Sequence, residues 1–452
     1  MSDRSPTSVR FGVIALLALA AGSAYLTRHC IAVANTAIQQ DLSLSDEQMG
    51  WVLGAFAAGY FVCQIPGGWL GNRIGTRGAL AFLSVLWSAF TVWSSAVFSY
   101  LPLLASRVFF GFAQAGLVPI SAKIINDWFS VHRRGIYSSF IGASMSIGGV
   151  AAMGLTARLI EDLHWREIFR LYSLVGVIWS IGFYAYFRTR PEQHPWVNDA
   201  ELRLIHDQPV PAGGSEPAGD SPNEMGEKDA ANRRNKESTD ISKGTDLLLW
   251  MLTSRTLWGI HLQSFFRAAA YTLFVTWFPA MLEYRYEITP STAGIMATSP
   301  LAAVIVGTLT GGWLVDYLFK KTASKRISRS GVAFVALAAS GVFVFASQMA
   351  NSPMLFVTLM SLAAMSSGFG NPAAWAATMD VAGRQTAIVV GAMNMAGTLG
   401  GFAMPVVLGY MIGDIKQTGG DWNQVIYFVA AIYAAGSLCW LAVDPNDSLA
   451  AE

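Results

Sequence analysis

Long apolar stretches follow one another along almost the whole chain, and this feature constrains the fold more than any other. Most of them exceed the roughly 20 residues that cross a bilayer as a helix. Only 13% of the residues are charged, whereas a soluble protein has about 25%. The chain is therefore predicted to be an all-α membrane protein with twelve transmembrane helices, called spans 1 to 12. The spans are expected at about residues 11–38, 48–71, 78–98, 101–128, 135–160, 166–187, 250–282, 291–319, 330–349, 353–379, 386–412 and 422–443.

A polar stretch divides the twelve spans into two groups of six. Residues 194–246 are rich in Pro, Gly, Ser, Glu and Lys, so they cannot bury enough apolar surface to offset the entropy of ordering. We therefore expect an N-terminal six-helix bundle over 1–193, a largely disordered linker over 194–246 and a C-terminal six-helix bundle over 247–452. A short helix over 199–206 is expected to run along the membrane surface.

Lys and Arg are distributed unequally between the two sets of loops, and basic loops face the cytoplasm. Both termini and the linker are therefore predicted to be cytoplasmic in a multi-pass membrane protein. A short chain of this type suits a bacterial inner membrane. The net charge of +1 gives no sign of nucleic-acid binding. We expect a monomer that works in a lipid bilayer without a metal or cofactor. The basic loops carry Arg73, Arg77, Arg133, Arg134, Lys320, Lys321, Lys325, Arg326, Arg329 and Arg384.

The loops that follow spans 2 and 8 resemble each other. The sequence GWLGNRIG begins at Gly68, and GWLVDY begins at Gly312. Such parallel duplication is typical of transporters whose two bundles rock about a site near the bilayer midplane. We expect the glycines to let spans 2 and 8 approach the opposite half closely. The candidate residues of this gating loop are Gly68, Asn72, Arg73, Gly75 and Asp316.

Three arginines lie where charge is expensive: Arg28 in span 1, Arg107 in span 4 and Arg267 in span 7. An arginine at a helix centre costs roughly 2.5–3.5 kcal/mol, so it persists only beside a partner, an aqueous cavity or a ligand. Spans 1, 4 and 7 contain no Asp or Glu in the middle of the membrane. Unpaired guanidinium groups attract anions and fit carboxylates bidentately. The arginines are predicted to bind a small anionic substrate; the alternative is that each snorkels or pairs with a buried carboxylate.

Other polar side chains are weaker candidates for the substrate site. Gln114 lies seven residues after Arg107, and Tyr271 lies four residues after Arg267, so each continues a polar stripe. Further candidates in predicted spans, where such side chains more often serve packing, are Tyr60, Trp375 and Asn394.

His29 is adjacent in sequence to Arg28, so it lies about 100° round the helix and should not share that face. A histidine can titrate near neutral pH, and a packing role is the alternative reading here. His29 is therefore a weak candidate for coupling to a cation.

Several segments together resemble the anion:cation symporter family of the major facilitator superfamily, over almost the whole chain except the linker. That family includes vesicular glutamate transporters, sialin and bacterial hexuronate, glucarate and galactonate permeases. The resemblance implies a major facilitator fold, with Arg28 and Arg107 at the anion site and Arg267 as in the vesicular glutamate branch. It also implies that Tyr60, Trp375 and Asn394 lie in the substrate cavity. The segments are GWVLGAFAAGYFVCQIPGGWLGNRIGTR, SRVFFGFAQAGLVPISAKIINDWF, WREIFRLYSLVG, FFRAAAYTLFVTWFPAMLEYRYEITPSTAG and GAMNMAGTLGGFAMPVVLGY.

The chain departs from the pattern of this family at three positions. Thr27 stands where proton-coupled bacterial members commonly have Asp, and Gln114 stands where members typically have Glu. Because neither side chain titrates at physiological pH, the hypothesis is that the usual proton relay is not used. The protein would then be a uniporter or exchanger, use sodium, or use a displaced group such as His29. Asn72 replaces the Asp of the loop motif, which would weaken the outward-open state.

The leading functional hypothesis is secondary transport of a small organic anion by alternating access. A sugar acid, a dicarboxylate or an acidic amino acid would fit three guanidinium groups. Paired arginines suit phosphate equally, so a phosphate or organophosphate exchanger is an alternative. A non-transporting sensor that kept the fold is another. No phosphate-binding loop, zinc spacing or nucleophile elbow is found in the sequence, so we do not expect an enzyme.

Overall fold

The computed structural model describes residues 5–130, 134–206, 250–382 and 386–447. Within these ranges, a few side chains, including that of Asn72, are not described. The linker from 207 to 249 lies outside the described residues, and with it the prediction of disorder there.

Each of the twelve predicted spans corresponds to a helix or to two consecutive helices, so the twelve-helix architecture is confirmed. Ten described stretches are long and apolar enough to cross a membrane, and span 7 makes an eleventh if its two bent segments count as one. Span 2 has 28 residues, also enough to cross a bilayer. Spans 1 to 6 are Val9–Val33 with Asn35–Leu42, Asp46–Arg73, Thr76–Ser95, Tyr100–Gln114 with Leu117–Trp128, Arg134–Leu159 and Trp165–Tyr186. Spans 7 to 12 are Arg255–Thr276 with Phe278–Tyr286, Pro290–Thr322, Val332–Ala346, Pro353–Ala382, Thr386–Thr418 and Asn423–Cys439.

Local sequence explains several of these helix ends. The side chain of Ser45 accepts a hydrogen bond from the backbone of Gln48, whose own side chain accepts one from the backbone of Ser45. This capping box starts span 2. Span 7 bends by 59° between its two segments, directly before Pro279, which cannot donate a backbone hydrogen bond. After the bend, the end of span 7 contacts the first half of the chain, where Thr36 donates a hydrogen bond to Glu283.

The short helix predicted after span 6 is present as Asp199–Ile205, and it packs against the start of span 1. The fully buried carboxylate of Glu201 accepts hydrogen bonds from the backbone N–H groups of Val9 and Arg10, at 3.3 and 3.1 Å. The hydroxyl of Thr7 donates to the same carboxylate at 2.5 Å. The first N–H groups of a helix have no partner within it, and an anion there is stabilised by the helix dipole. Glu201 therefore fixes the start of span 1 to the end of the first bundle.

The two halves touch mainly at one end of the molecule, called here the acidic end. Lys416 of span 11 forms an ion pair with Asp46 of span 2 at 2.8 Å. Thr36 donates to Glu283 across the halves at 2.7 Å, and Ser291 donates to Glu161. The opposite end carries Arg73, Arg77, Lys320, Lys321 and Arg326, and is called the basic end. Gln64 forms hydrogen bonds with Asn394 and Thr398 of the other half. Among the described hydrogen bonds between the halves, these two lie furthest towards the basic end.

Glycines permit the close contact between the halves, but they are not the predicted ones. A Cβ at Gly409 would lie 2.6 Å from the backbone oxygen of Asp46, and one at Gly50 would lie 2.6 Å from that of Pro405. By contrast, Gly68 faces Pro119 and Gly312 faces Pro372, each within its own half. The prediction that the loop-motif glycines approach the opposite half is therefore wrong for this conformation. Those glycines lie near the basic end, where the halves are apart.

Candidate functional site

A cavity of about 230 Å³ lies between the two halves. The packed acidic end closes the cavity on one side. On the side of the basic end, the cavity is bordered by the hydrogen bond between Gln64 and Asn394, which is 3.2 Å long. No aspartate or glutamate is among its lining residues in the described part of the chain. The polar or charged side chains that line it are Tyr25, Arg28, His29, Tyr60, Arg107, Tyr271, Thr272, Thr276, Asn394 and Thr398.

Arg28 is the central cation of this cavity. Its guanidinium carbon lies 4.4, 4.2 and 5.1 Å from the ring centres of Tyr25, Phe56 and Tyr60. Nε donates to Oε1 of Gln114 at 3.2 Å, which accounts for one of the five N–H donors of an arginine. Aromatic faces stabilise a desolvated cation by roughly 2 kcal/mol or more without neutralising it. The charge is therefore held in place and remains available to an anion.

Arg107 lies beside Arg28 and is only 2% exposed. It donates to the backbone oxygen of Arg28 at 3.3 Å, and its Nε is buried without a described hydrogen-bond partner. Neither arginine forms an ion pair with a described residue. Two positive charges this close repel each other, and the repulsion is strong where water is scarce. An anion between or beside them would remove that cost, so the pair is suited to binding one.

Gln114 does not line the cavity, although it was predicted to bind substrate. It is fully buried and donates through Nε2 to the backbone oxygen of Ala24 at 3.0 Å and to Oγ1 of Thr27 at 3.3 Å. Its Oε1 holds Arg28. Thr27 and Gln114, the two departures from the family pattern inside the membrane, are thus bonded to each other. Gln114 positions Arg28 without neutralising it.

Three further predicted residues line the cavity, and several lining side chains were missed, among them Tyr25, Phe56, Thr272, Thr276 and Thr398. Tyr60, Tyr271 and Asn394 all face it, which places them as the sequence led us to expect. Phe56 and Thr398 line it as well. Each lies four residues from a predicted one, Phe56 from Tyr60 and Thr398 from Asn394, so helical spacing could have identified both.

His29 also lines the cavity, although it lies on a different face of span 1 from Arg28. Its ring meets that of Tyr25 edge-on at 5.4 Å between centres. The cavity reaches more than one face of span 1, because side chains of both span 2 and span 7 line it beside the middle of that helix. A difference of about 100° between adjacent residues therefore does not separate them.

Arg267 and Trp375 are not among the cavity-lining residues. Arg267 lies one turn from Tyr271 towards the basic end. Its Nε is buried without a described hydrogen-bond partner, and it forms no ion pair with a described residue. Trp375 is 41% exposed and lies about two turns before the end of span 10.

We predict that Arg267→Ala lowers the affinity for an anionic substrate by no more than about tenfold, because a charge outside the cavity acts only through longer-range attraction. Ligand-induced thermal stabilisation measures this effect. Arg267→Met serves as the control for packing, since it keeps much of the volume and loses the charge. A loss of a hundredfold or more in both variants would place Arg267 in direct contact with the substrate.

The predicted gating residues lie at the basic end without bridging the halves. The guanidinium of Arg73 lies 4.9 Å from the ring centre of Trp69 in its own helix. Gly75 has a φ of 82°, which glycine adopts at no steric cost, and this residue turns the chain from span 2 into span 3. Asp316 is exposed. The side chain of Asn72 is outside the described part of the structure.

Two six-helix halves with a charged cavity between them define a membrane transporter. The chain matches the Major Facilitator Superfamily over residues 17–405 and again over 260–451, and it belongs to this superfamily. Membership in a transporter superfamily also confirms the expectation that the chain is not an enzyme.

Relatives of known or assigned role cover nearly the whole chain. A D-galactonate transporter of Escherichia coli O6:H1 is 28% identical over 96% of this chain and 96% of its own length. A probable galactarate/D-glucarate transporter of Bacillus subtilis is 28% identical over 96% and 92%. A probable sulfoacetate transporter of Cupriavidus necator is 26% identical over 96% and 94%. The first two of these relatives confirm the resemblance to the sugar-acid permeases.

Solved structures show the same fold. A bacterial homologue of the human lysosomal transporter Spinster, inward-facing and unoccupied, superimposes with a TM-score of 0.70 at 19% identity, over 97% of this chain and 95% of its own. The inward-open xylose transporter of Escherichia coli gives 0.68 at 13% identity, over 96% and 95%.

Proposed function

We propose that the protein transports small organic anions, of the sugar-acid, dicarboxylate or acidic amino-acid type. The observation that carries the proposal is the placement of Arg28 and Arg107 together in one cavity between the halves, where none of the described lining residues is a carboxylate. The relatives named for galactonate, galactarate, glucarate and sulfoacetate support it, since each of these compounds carries at least one acidic group.

The substrate class is tested by thermal stabilisation of the purified protein. We expect sugar acids and dicarboxylates to raise the unfolding temperature, and inorganic phosphate and phosphate esters to have little effect at equal concentration. Stabilisation by phosphate alone would favour the phosphate exchanger instead. Stabilisation by carboxylates without uptake into proteoliposomes would favour the sensor.

We propose that transport proceeds by alternating access, in the bacterial inner membrane with both termini cytoplasmic. The described structure would then be a state closed at the acidic, periplasmic end. Its contacts there depend on glycine: a Cβ at Gly409 would be 2.6 Å from the Asp46 oxygen and 3.0 Å from Cα of Gly50. Both contacts involve backbone, so the neighbouring helix itself would have to move.

Gly409→Leu should therefore hold the acidic end open and lower uptake by at least about tenfold, since overpacking costs roughly 1–3 kcal/mol. A cysteine placed at Ala57 in the cavity, in a background without the native cysteines, reports access from the acidic end to a membrane-impermeant thiol reagent. Labelling should be faster with Gly409→Leu. Gly182→Leu is the matched control, because a Cβ there meets no atom within 4 Å. Equal labelling in both variants would contradict the mechanism.

We propose that the usual carboxylate proton relay is not used, because Thr27 and Gln114 take its positions and bond to each other. An imposed pH gradient should then leave substrate accumulation nearly unchanged. The measurement is uptake into proteoliposomes with and without the gradient, for the native protein and for His29→Gln. Strong proton-driven accumulation that survives His29→Gln would refute the proposal, and accumulation lost in that variant would make His29 the displaced group.

A further inference from the structure

An apolar groove of about 470 Å³ opens between spans 8, 9 and 10, well away from the central cavity. Sites of roughly 300–1,000 Å³ accommodate small organic molecules. Its wall is hydrophobic apart from one serine, and part of it is exposed, with Ile327 at 52% and Val335 at 62%. Representative lining residues are Leu314, Leu318, Ile327, Val335, Ser366 and Phe369.

The backbone between spans 8 and 9 gives the groove its shape. Span 8 ends at Thr322, Ala323 adopts a left-handed conformation, and a π-helical turn, Arg326–Gly331, precedes span 9. Such turns are rare and frequently mark functional sites. Gly331 and Ala339 line the groove with little or no side chain, so the space between the helices stays open.

Basic side chains surround the end of this groove. Lys325 and Arg329 both pair with Asp380, at 3.5 and 3.2 Å. The neighbouring cations Lys320, Lys321 and Arg326 are exposed and form no ion pair with any described residue. Asp316 lies one turn before Lys320, but no ion pair joins them. Five cations and two carboxylates leave a local charge of +3.

One free cation, Lys321, lies on the groove face of span 8, and the other two, Lys320 and Arg326, are adjacent in sequence to Lys321 and to the lining residue Ile327. Lys321 follows the lining residues Leu318 and Leu314 by three and seven positions, which places the three side chains in one stripe of the helix. Arg326 directly precedes the lining residue Ile327. At 1.5 Å per residue, Leu314 lies about 10 Å deeper along span 8 than Lys321. The site therefore combines positive charge at the membrane surface with an apolar channel that runs from there towards the middle of the membrane.

We propose that this groove binds one anionic phospholipid, with an acyl chain against Leu314 and Leu318 and the phosphate among Lys320, Lys321 and Arg326. Basic pockets between membrane helices bind anionic head groups, because Lys and Arg side chains near the membrane surface attract the negative charge of the lipid. Free phosphate would use the cations and leave the apolar channel empty. A zwitterionic lipid would fill the channel but would not neutralise the local charge of +3.

A second groove supplies an internal comparison. It lies between spans 3 and 6, with a volume of about 550 Å³. Arg77 precedes the lining residue Gly78. It already donates to the backbone oxygen of Tyr184 at 2.9 and 2.6 Å and lies 4.2 Å from the ring centre of that tyrosine. That groove should therefore accept lipid without preferring an anionic head group.

The test counts retained lipids by native mass spectrometry after titration with phosphatidylglycerol or phosphatidylcholine of matched acyl chains. We expect one phosphatidylglycerol to bind at least about tenfold more tightly than phosphatidylcholine. The triple variant K320Q/K321Q/R326Q should lose this preference, and Ala339→Phe should weaken both lipids by filling the groove. The control R10Q/R190Q/R203Q removes three arginines of the first half and should keep the preference.

Equal affinity for the two lipids would overturn the proposal, as would an unchanged preference in K320Q/K321Q/R326Q. Inorganic phosphate that displaces phosphatidylglycerol at millimolar concentration would show a site for free phosphate instead. Because the readout is lipid retention, its result does not depend on whether the central cavity carries organic anions.

Discussion

Arg28→Ala is expected to abolish both uptake of a sugar acid and the thermal stabilisation that the ligand produces. Removing one partner from a buried, hydrogen-bonded charge pair costs about 2–5 kcal/mol, which corresponds to a loss of affinity of roughly 30-fold to several thousandfold. Arg28 lies in the cavity, and its guanidinium group is within about 5 Å of three aromatic rings. It is also less buried than Arg107. No other described cation combines these features.

Two further substitutions separate charge from packing at this position. Arg28→Met keeps most of the volume between the rings of Tyr25 and Phe56, so a loss equal to that of Arg28→Ala assigns the effect to charge. Arg28→Lys keeps the charge but loses the planar group that stacks on rings and binds carboxylate bidentately, so we expect at most partial recovery. Arg190→Ala, at an exposed position of the basic end, is the control. Native affinity in Arg28→Ala would contradict the proposed site.

The fold could be predicted from the sequence because each span is long, apolar and bounded by polar residues. Span 3, expected at 78–98, is Thr76–Ser95, and span 10, expected at 353–379, is Pro353–Ala382. The breaks inside spans 1, 4 and 7 were not predicted. The break at Ala115 has a local cause that the sequence shows: Pro119 lies four residues later, and its ring excludes the helical hydrogen bond to the Ala115 carbonyl. No proline follows Ala34 within the next turn, so that break has no such signal.

The site was predicted in part, for a similar reason. A buried arginine without a carboxylate in its own span is visible in the sequence, which identified Arg28 and Arg107. Whether such an arginine faces the cavity depends on the rotation of its helix, and this separated Arg267 from the other two. The partner of Arg28 is 86 positions away in the sequence, so the positioning role of Gln114 required the structure.

Gln114→Glu should make anion binding dependent on pH, and this is the second large effect that we expect. In the native protein, Oε1 of Gln114 accepts from Arg28 at 3.2 Å, and Nε2 donates to the Ala24 oxygen at 3.0 Å. An ionised glutamate at this position would form an ion pair with Arg28, reduce its attraction for the substrate and lose the donation to Ala24. A protonated glutamate would keep a donor for Ala24 and leave the charge of Arg28 uncompensated.

Because a carboxyl group is neutral below its pKa and ionised above it, binding to Gln114→Glu should strengthen as the pH falls and weaken as it rises. Affinity for a sugar acid measured between about pH 5.5 and 8 should change at least tenfold, since neutralising one contacting charge is equivalent to about 1.4 kcal/mol or more. The native protein should vary little, because sugar acids stay ionised in this range. Gln114→Met removes the same hydrogen bonds without adding a titratable group, so its weaker binding should be independent of pH. A flat profile for Gln114→Glu would mean that residue 114 does not control the charge available at Arg28.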